Sequence, residues 1–295
     1  MGITINTNVS SLIAQKNLSE ATKALNLSIE RMTTGYKINH SKDNAAGFSI
    51  ATIWETQLKS LDVASDNASM GLDLITTAED TYSLVIEHFQ RVRDLTEQAA
   101  NGTYGADSLE AISKEMEARF SEIERITNNA EFNGIKLMDG TAGDIILQVG
   151  IFNDTNSQIE LDETLFADTD LAAIQTLGGF DGSTAADLAK ECSGYTNATT
   201  IDQTKPIAAL AKIDAVIDSL AARITTLGST QNRLDSAISA LDVQSQNMTS
   251  SLSTMKDSDI AEESSAYIKA QILQQASATL LSTANQLPSI ALNLI

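Results

Sequence analysis

Two prolines, Pro206 and Pro288, are all that this 295-residue chain contains. Long stretches are therefore free of the residue that breaks helices, and aromatics, at 4%, are too scarce to fill a sheet sandwich. A single cysteine, Cys192, excludes an intrachain disulfide and a cysteine-based zinc site. Basic residues are also few, 19 Lys and Arg against 39 Asp and Glu for a net charge of −20. With no block of Lys and Arg, nucleic acid is disfavoured as a partner, because neutralising phosphates needs a clustered basic face. No run approaches the roughly 18 apolar residues of a membrane span, so no membrane insertion is expected. The opening "MGITINTNVSS" lacks the basic region and apolar run of a cleaved secretory signal, and Asn6 stands where a myristoylation motif needs Ser or Thr. Only His40 and His88 are available as imidazole ligands, so the His-Glu-x-x-His zinc motif is missing. Gly35-Tyr36-Lys37 lacks the ending of a Walker loop, and "ADTDLAA" lacks the glycine and closing Glu of an EF-hand. No catalytic, cofactor-binding or metal-binding residue is assigned, no cofactor is expected, and the chain does not read as an enzyme.

What is abundant is Ala, Leu, Ile, Ser, Thr, Asn and Gln, a composition suited to long helices lying side by side. From Asn8 to Met32 the apolar residues fall three or four apart, and Leu18, Leu25 and Met32 are also seven apart. The stretch "MTTGYKINHSKDNAAG", Met32 to Gly47, interrupts this pattern. A second helical pattern then runs from about Asn44 to Ala100, which at 1.5 Å per residue predicts a helix roughly 85 Å long. After the loop "NGTYGAD", Ser108 is placed to cap a further helix reaching about Ile126. "DIILQVGIFNDTNSQIELDE", Asp144 to Glu163, alternates and is split at Asn153 to Asn156, which predicts a β-hairpin. Gly178 to Lys205 is rich in Gly, Ser, Thr, Asp and Asn and holds one short helical stretch, "AADLAKEC".

Helix is expected again from Pro206, a first-turn residue, to Ser289 with short interruptions. The closing stretch places Leu273, Leu280, Leu287 and Leu294 seven apart, so the two chain ends are expected to pair with each other or with copies of themselves. Gln271, Gln274, Gln275, Ser277, Thr279 and their neighbours occupy faces where a solvated helix normally carries Lys and Glu, and the last 32 residues hold one charge, Lys269. Uncharged amides and hydroxyls cost far less than charges to enclose between subunits. Thr141 to Lys205, by contrast, holds eleven acids and two lysines, which predicts an acidic outer face.

The joint segment resembles the flagellin signature, Leu-Ser-Ser-Gly followed by Ile-Asn, an Asp pair and Ala-Ala-Gly. The tail is similar to the flagellin C-terminus through Ala270-Gln271-Ile272-Leu273-Gln274-Gln275, Ala284-Asn285-Gln286 and Pro288, as are "FQRVRDLTEQAANGT" and "EFNGIKLMDG". Met32-Thr33-Thr34, His40-Ser41 and Asn44 depart from the pattern. The resemblance implies a mainly α fold, an elongated helical bundle and coiled coil with a small β-hairpin region, in discontinuous layers built from both chain ends. Residues 1–43 and 255–295 would form an inner coiled-coil layer, 44–177 and 205–254 a helical-bundle layer, and 178–204 a short variable outer segment.

The implied function is that of a structural subunit, secreted and extracellular, that self-polymerises into a bacterial flagellar filament for motility. The alternative is a flagellin-like hook–filament junction protein. Implied partners are further copies of the chain, an export chaperone, and cap and hook-junction proteins. Gly35, Lys37, Asn39, Lys42, Asp43 and Gly47 would form an inter-layer joint, Gly35 and Gly47 by tolerating backbone angles forbidden to other residues. Leu18, Leu25, Met32, Leu273, Leu280, Leu287 and Leu294 would form the polymerisation interface. Gln90, Arg91, Leu95 and Glu115 match the epitope of the flagellin-sensing Toll-like receptor. The residues alone also predict i,i+4 pairs, Glu87 with Arg91 and Arg93 with Glu97, on an exposed helix.

Overall fold

A computed structural model describes the backbone of residues 7–182, 184–197 and 200–293. Its helices among the described residues are α1 (Val9–Thr34), α2 (Ala45–Ala100), α3 (Ala106–Asn129), α4 (Leu171–Gly178), α5 (Ala185–Ser193), α6 (Thr204–Lys256) and α7 (Ile260–Asn293). The strands are β1 (Glu131–Phe132), β2 (Ile135–Lys136), β3 (Ile145–Gln148), β4 (Gln158–Leu161), β5 (Tyr195–Asn197) and β6 (Thr200–Ile201), paired two by two and antiparallel. The fold is mainly α with small hairpins. Two compact units divide the chain: residues 1–59 with 245–295, and residues 60–244. The division falls inside α2 and α6, not at the 43/44 and 254/255 positions expected from the sequence. Nothing in a continuous helix marks where its packing partners change.

In the first unit α1 and α7 run antiparallel. Asn8 starts α1 by accepting a hydrogen bond from the Ser11 amide at 3.1 Å, and Gly35 ends it at φ +77°, its N–H donating to the Arg31 carbonyl at 2.8 Å. This is the left-handed cap that glycine adopts without a Cβ penalty. The pair is joined from end to end. The Asn8 side-chain amide donates to the Ala284 carbonyl at 2.7 Å, Gln274 to the Thr22 hydroxyl at 3.2 Å, and Arg31 to the Glu263 carboxylate at 3.0 Å.

The second unit carries the large core. Buried positions of α6 include Ile213, Leu220, Leu227, Leu234 and Leu241, a seven-residue repeat that keeps one seam facing its neighbours. Tyr82, Phe89, Phe120 and Phe166 are fully buried, and Phe89 meets Phe120 edge to face at 6.2 Å. The Tyr82 hydroxyl donates to the Leu165 carbonyl at 2.7 Å, and Arg223 donates to the Ala167 carbonyl at 2.8 Å, which pins the loop before α4. The β1–β2 turn places Asn133 and Gly134 at φ +49° and +82°, the Asn-Gly hairpin turn whose twist matches that of the strands.

Three local expectations change. Helix α3 starts at Ala106 behind Gly105 with no side-chain cap, so Ser108 lies inside it. Helix α7 continues through Pro288 to Asn293, beyond the end expected at Ser289. Residues 178–204 do not form a separate outer segment: Phe180, Leu188, Ala189 and Cys192 belong to the second unit's core, with α5 packed on α3. Polar composition hid this because a nine-residue helix needs few apolar side chains to dock.

Candidate assembly surface and joint

The joint between α1 and α2 is stitched to the break between α6 and α7. Tyr36 and Asp257 form an antiparallel bridge, in which the Lys37 N–H donates to the Lys256 carbonyl and the Ser258 N–H to the Gly35 carbonyl, each at 2.8 Å. The Lys37 ammonium donates to the Thr254 carbonyl at 2.7 Å. Lys256 pairs with Glu55 and lies 4.3 Å above the Tyr36 ring centroid. Within the joint, Asp43 accepts hydrogen bonds from the Asn39 and His40 amides, and Asn39 donates to the Tyr36 carbonyl at 3.0 Å. The His40 amide, foremost, holds the Asp43 carboxyl below its ordinary value, against a smaller opposing effect of desolvation. His40 Nε2 lies 2.9 Å from the Glu30 carboxylate in the penultimate turn of α1.

Lys37, Asn39 and Asp43 make their contacts at the joint within the chain, whereas Lys42 is exposed. Gly35 is needed for its positive φ, but Gly47 is not: it sits inside α2, where a Cβ would come within 2.8 Å of Ile38 Cδ1. Gly47 is small so that Ile38, 5% exposed, can close the joint. Tyr36, Glu55 and Lys256 were missed because their partners are distant in sequence. Arg31 and Glu263 were missed too, although a base in the last turn of α1 and acids in the first turn of α7 are where helix dipoles favour them.

Apart from Glu263, the α1–α7 seam is made of small residues. Ala14, Ala21 and Ser28 are buried on α1, and Glu263, Ala270, Ser277 and Ala284 on α7, each series in steps of seven. The larger residues expected at the polymerisation interface lie outside this intrachain seam: Leu18 and Leu25 are partly buried, while Met32, Leu273 and Leu280 are 36%, 49% and 61% exposed. The Leu287 side chain and Leu294 lie outside the described residues. Val9, Leu12, Ile13, Ile268 and Ile272 are also more than half exposed. An open groove of about 330 Å³ runs between the helices, lined by Ser10, Ile13, Ala14, Asn17, Leu280, Thr283 and Ala284.

On α2, Arg91 reaches the Glu115 carboxylate of α3 at 2.7 Å, not Glu87, and Arg93 binds Asp214 of α6 at 2.6 Å with Glu97 at 3.8 Å. Donating a hydrogen bond to the Asp214 carboxylate raises the Arg93 pKa. Gln90 is exposed, but Leu95 is 2% exposed and part of the core, so it offers no surface in the folded chain. Cys192 is buried, and burial pushes its thiol up to about 12, which leaves it an unreactive packing residue. No described helix is long and apolar enough to cross a membrane.

A core bundle, a hairpin and paired chain ends with uncovered apolar faces define a protein built to associate. Residues 5–143 match the bacterial flagellin N-terminal helical region and residues 210–295 the bacterial flagellin C-terminal helical region. Among similar proteins, polar flagellin F of Vibrio parahaemolyticus is 30% identical with both chains covered completely. A flagellin of Listeria innocua is 33% identical over 99% of each chain. This chain belongs to the bacterial flagellins, a family of structural proteins and not of enzymes.

Among solved structures, a putative flagellar hook-associated protein from Vibrio parahaemolyticus shares the fold at a TM-score of 0.60 and 16% identity, covering 73% of this chain and all of that one. Bacillus cereus flagellin aligns at a TM-score of 0.46 and 24% identity, covering 63% of this chain and 94% of that one.

Proposed function

We propose that this chain is the subunit of an extracellular flagellar filament and polymerises by burying the outward faces of α1 and α7 against other copies. The observation that carries the reading is the division of labour on these helices. Small residues close the pair within one chain, so Leu273, Leu280, Ile272 and Ile13 remain uncovered. Burying one such side chain between subunits is worth about 1.5–3 kcal/mol, repeated in every subunit. The amides and hydroxyls around them, Gln275, Thr279, Ser282 and Asn285, are exposed in the isolated chain and suit a packed core without free charges. Before assembly, an export chaperone would cover the same apolar faces, and cap and hook-junction proteins would meet the filament's two ends.

Negative-stain electron microscopy of purified protein warmed with short filament seeds tests this. Long helical filaments are the expected result. Persistent monomers would refute self-polymerisation, and collars that never elongate would favour the hook–filament junction reading, towards which the shared fold of the hook-associated protein points. Full-length similarity to curated flagellins favours the filament. As for immune sensing, a receptor reading the α2–α3 face would meet Gln90, Arg91 and Glu115 but not Leu95. Arg91→Ala is expected to lower a Toll-like-receptor reporter signal, and an unchanged signal would remove this second role.

A further inference from the structure

Proline inside a helix has no N–H to give, so the carbonyl four residues back loses its regular partner. Pro288 lies within α7, which continues to Asn293, and the carbonyl it leaves open is that of Ala284. Ala284 is 7% exposed, so water is a poor substitute there. A buried carbonyl without a donor is costly, and in native proteins such groups find a partner.

The donor comes from the far end of the chain. The Asn8 side-chain amide donates to the Ala284 carbonyl at 2.7 Å, while Asn8 Oδ1 accepts from the Ser11 amide at 3.1 Å and starts α1. One side chain thus serves two helices with its two ends. Among the residues that cap helices well, asparagine is the one whose side chain keeps an amide N–H2 to spare once its oxygen is used. Beside this bond the Ser11 hydroxyl donates to Asn285 Oδ1 at 2.6 Å.

We propose that Pro288 and Asn8 form a latch that fixes the register of α1 against α7. Pro288 is a positioning residue that acts by what it withholds. Carbonyls in the body of a helix are already taken by the N–H four residues on, so a donor on a neighbouring helix meets no strong preference for one turn over the next. The missing N–H makes the Ala284 carbonyl unlike its neighbours, and a slip of either helix would part it from Asn8. Register in turn sets which apolar side chains are left facing outward, and Ile13 and Leu280 line the groove beside the latch. That consequence for assembly rests on the filament reading, whereas the latch itself does not.

The full chain carrying Ser11→Cys and Asn285→Cys, treated in dilute solution with oxidised glutathione, reads the register as an intramolecular disulfide, a reducible band of higher mobility. Cys192 is buried and takes no part. Adding Asn8→Asp removes the donor but keeps the cap, since an anion suits a helix N-terminus as well as asparagine does. Cross-linking is expected to slow about tenfold. Adding Pro288→Ala to that variant returns an N–H to the Ala284 carbonyl and is expected to bring the rate back to within about twofold of the starting protein. Equal slowing by Asn8→Asp in both backgrounds would overturn the latch, as would no slowing, the result expected if Asn8 only caps α1. Elongation on seeds should also fall about tenfold with Asn8→Asp. Unchanged elongation alongside slowed cross-linking would overturn the part of the register in assembly. Wild-type protein that never elongates would defeat the filament reading, and the cross-linking rates would still decide the latch.

Discussion

Single residues at the joint decide how α1 hands over to α2. Asp43 holds two amides, and its folded pKa lies below the usual carboxylate value of about 4. The sign follows: its contribution is present in full above that usual value and is lost as pH falls through the depressed one. Hydrogen exchange of the Asn39 and His40 amides should be faster in Asp43→Ala than in wild type at neutral pH, and the difference should vanish in acid. Gly35 and Gly47 separate by the same reasoning. Gly35→Ala forces a Cβ into left-handed backbone and is expected to cost about 1–2 kcal/mol at the joint. Gly47→Ala gains about 1 kcal/mol of helix propensity but must displace the ends of Ile38 and of Asn44, which accepts from the Gly47 amide, so its effect is steric and not one of backbone angle. Joint amide protection compares the two. A glycine in sequence does not reveal which property is in use: the positive φ of Gly35 and the tight contact of Gly47 are facts of geometry.

Paired helices set the next scale. Both ends of the chain repeat in sevens, and the repeat was legible as Leu18, Leu25 and Met32 and as Leu273 and Leu280. Which phase faces inward was not. The backbones pair through Ala14, Ala21, Ala270 and Ala284, because small side chains let two helices approach closely and bring Asn8, Gln274 and Arg31 within hydrogen-bonding reach of the partner. Ala270→Leu should therefore overpack the seam and destabilise the pair by about 1–3 kcal/mol, read as lost helicity or exchange protection in α1 and α7. Leu280→Asp should leave monomer stability within about 0.5 kcal/mol yet abolish filament growth, read by sedimentation and microscopy. A Leu280→Asp protein that polymerises normally would contradict the assembly face.

Over the whole molecule, charge opposes association and apolar surface drives it. Copies carrying −20 repel one another, and the Debye length falls from about 30 Å at 0.01 M salt to about 8 Å at 0.15 M. Elongation on seeds should accelerate across that range, whereas an assembly held mainly by ion pairs would slow. Light scattering at several salt concentrations reads the sign. The second unit contributes most of the core, including residues 180–192 that composition had marked as peripheral. Its outward charge and inward leucines allow the chain to remain folded while its ends stay available.

The sequence by itself determined the helical class, the joint, the Asp144–Glu163 hairpin and the family, since each rests on local periodicity, turn chemistry or a contiguous motif. Only the tertiary structure decided that alanines and not leucines close the chain ends, that Leu95 is buried, that Arg91 turns to Glu115, and that Lys256 pins the joint. Those outcomes depend on which faces meet across hundreds of residues, and burial and ion pairing follow from that meeting, not from any local pattern.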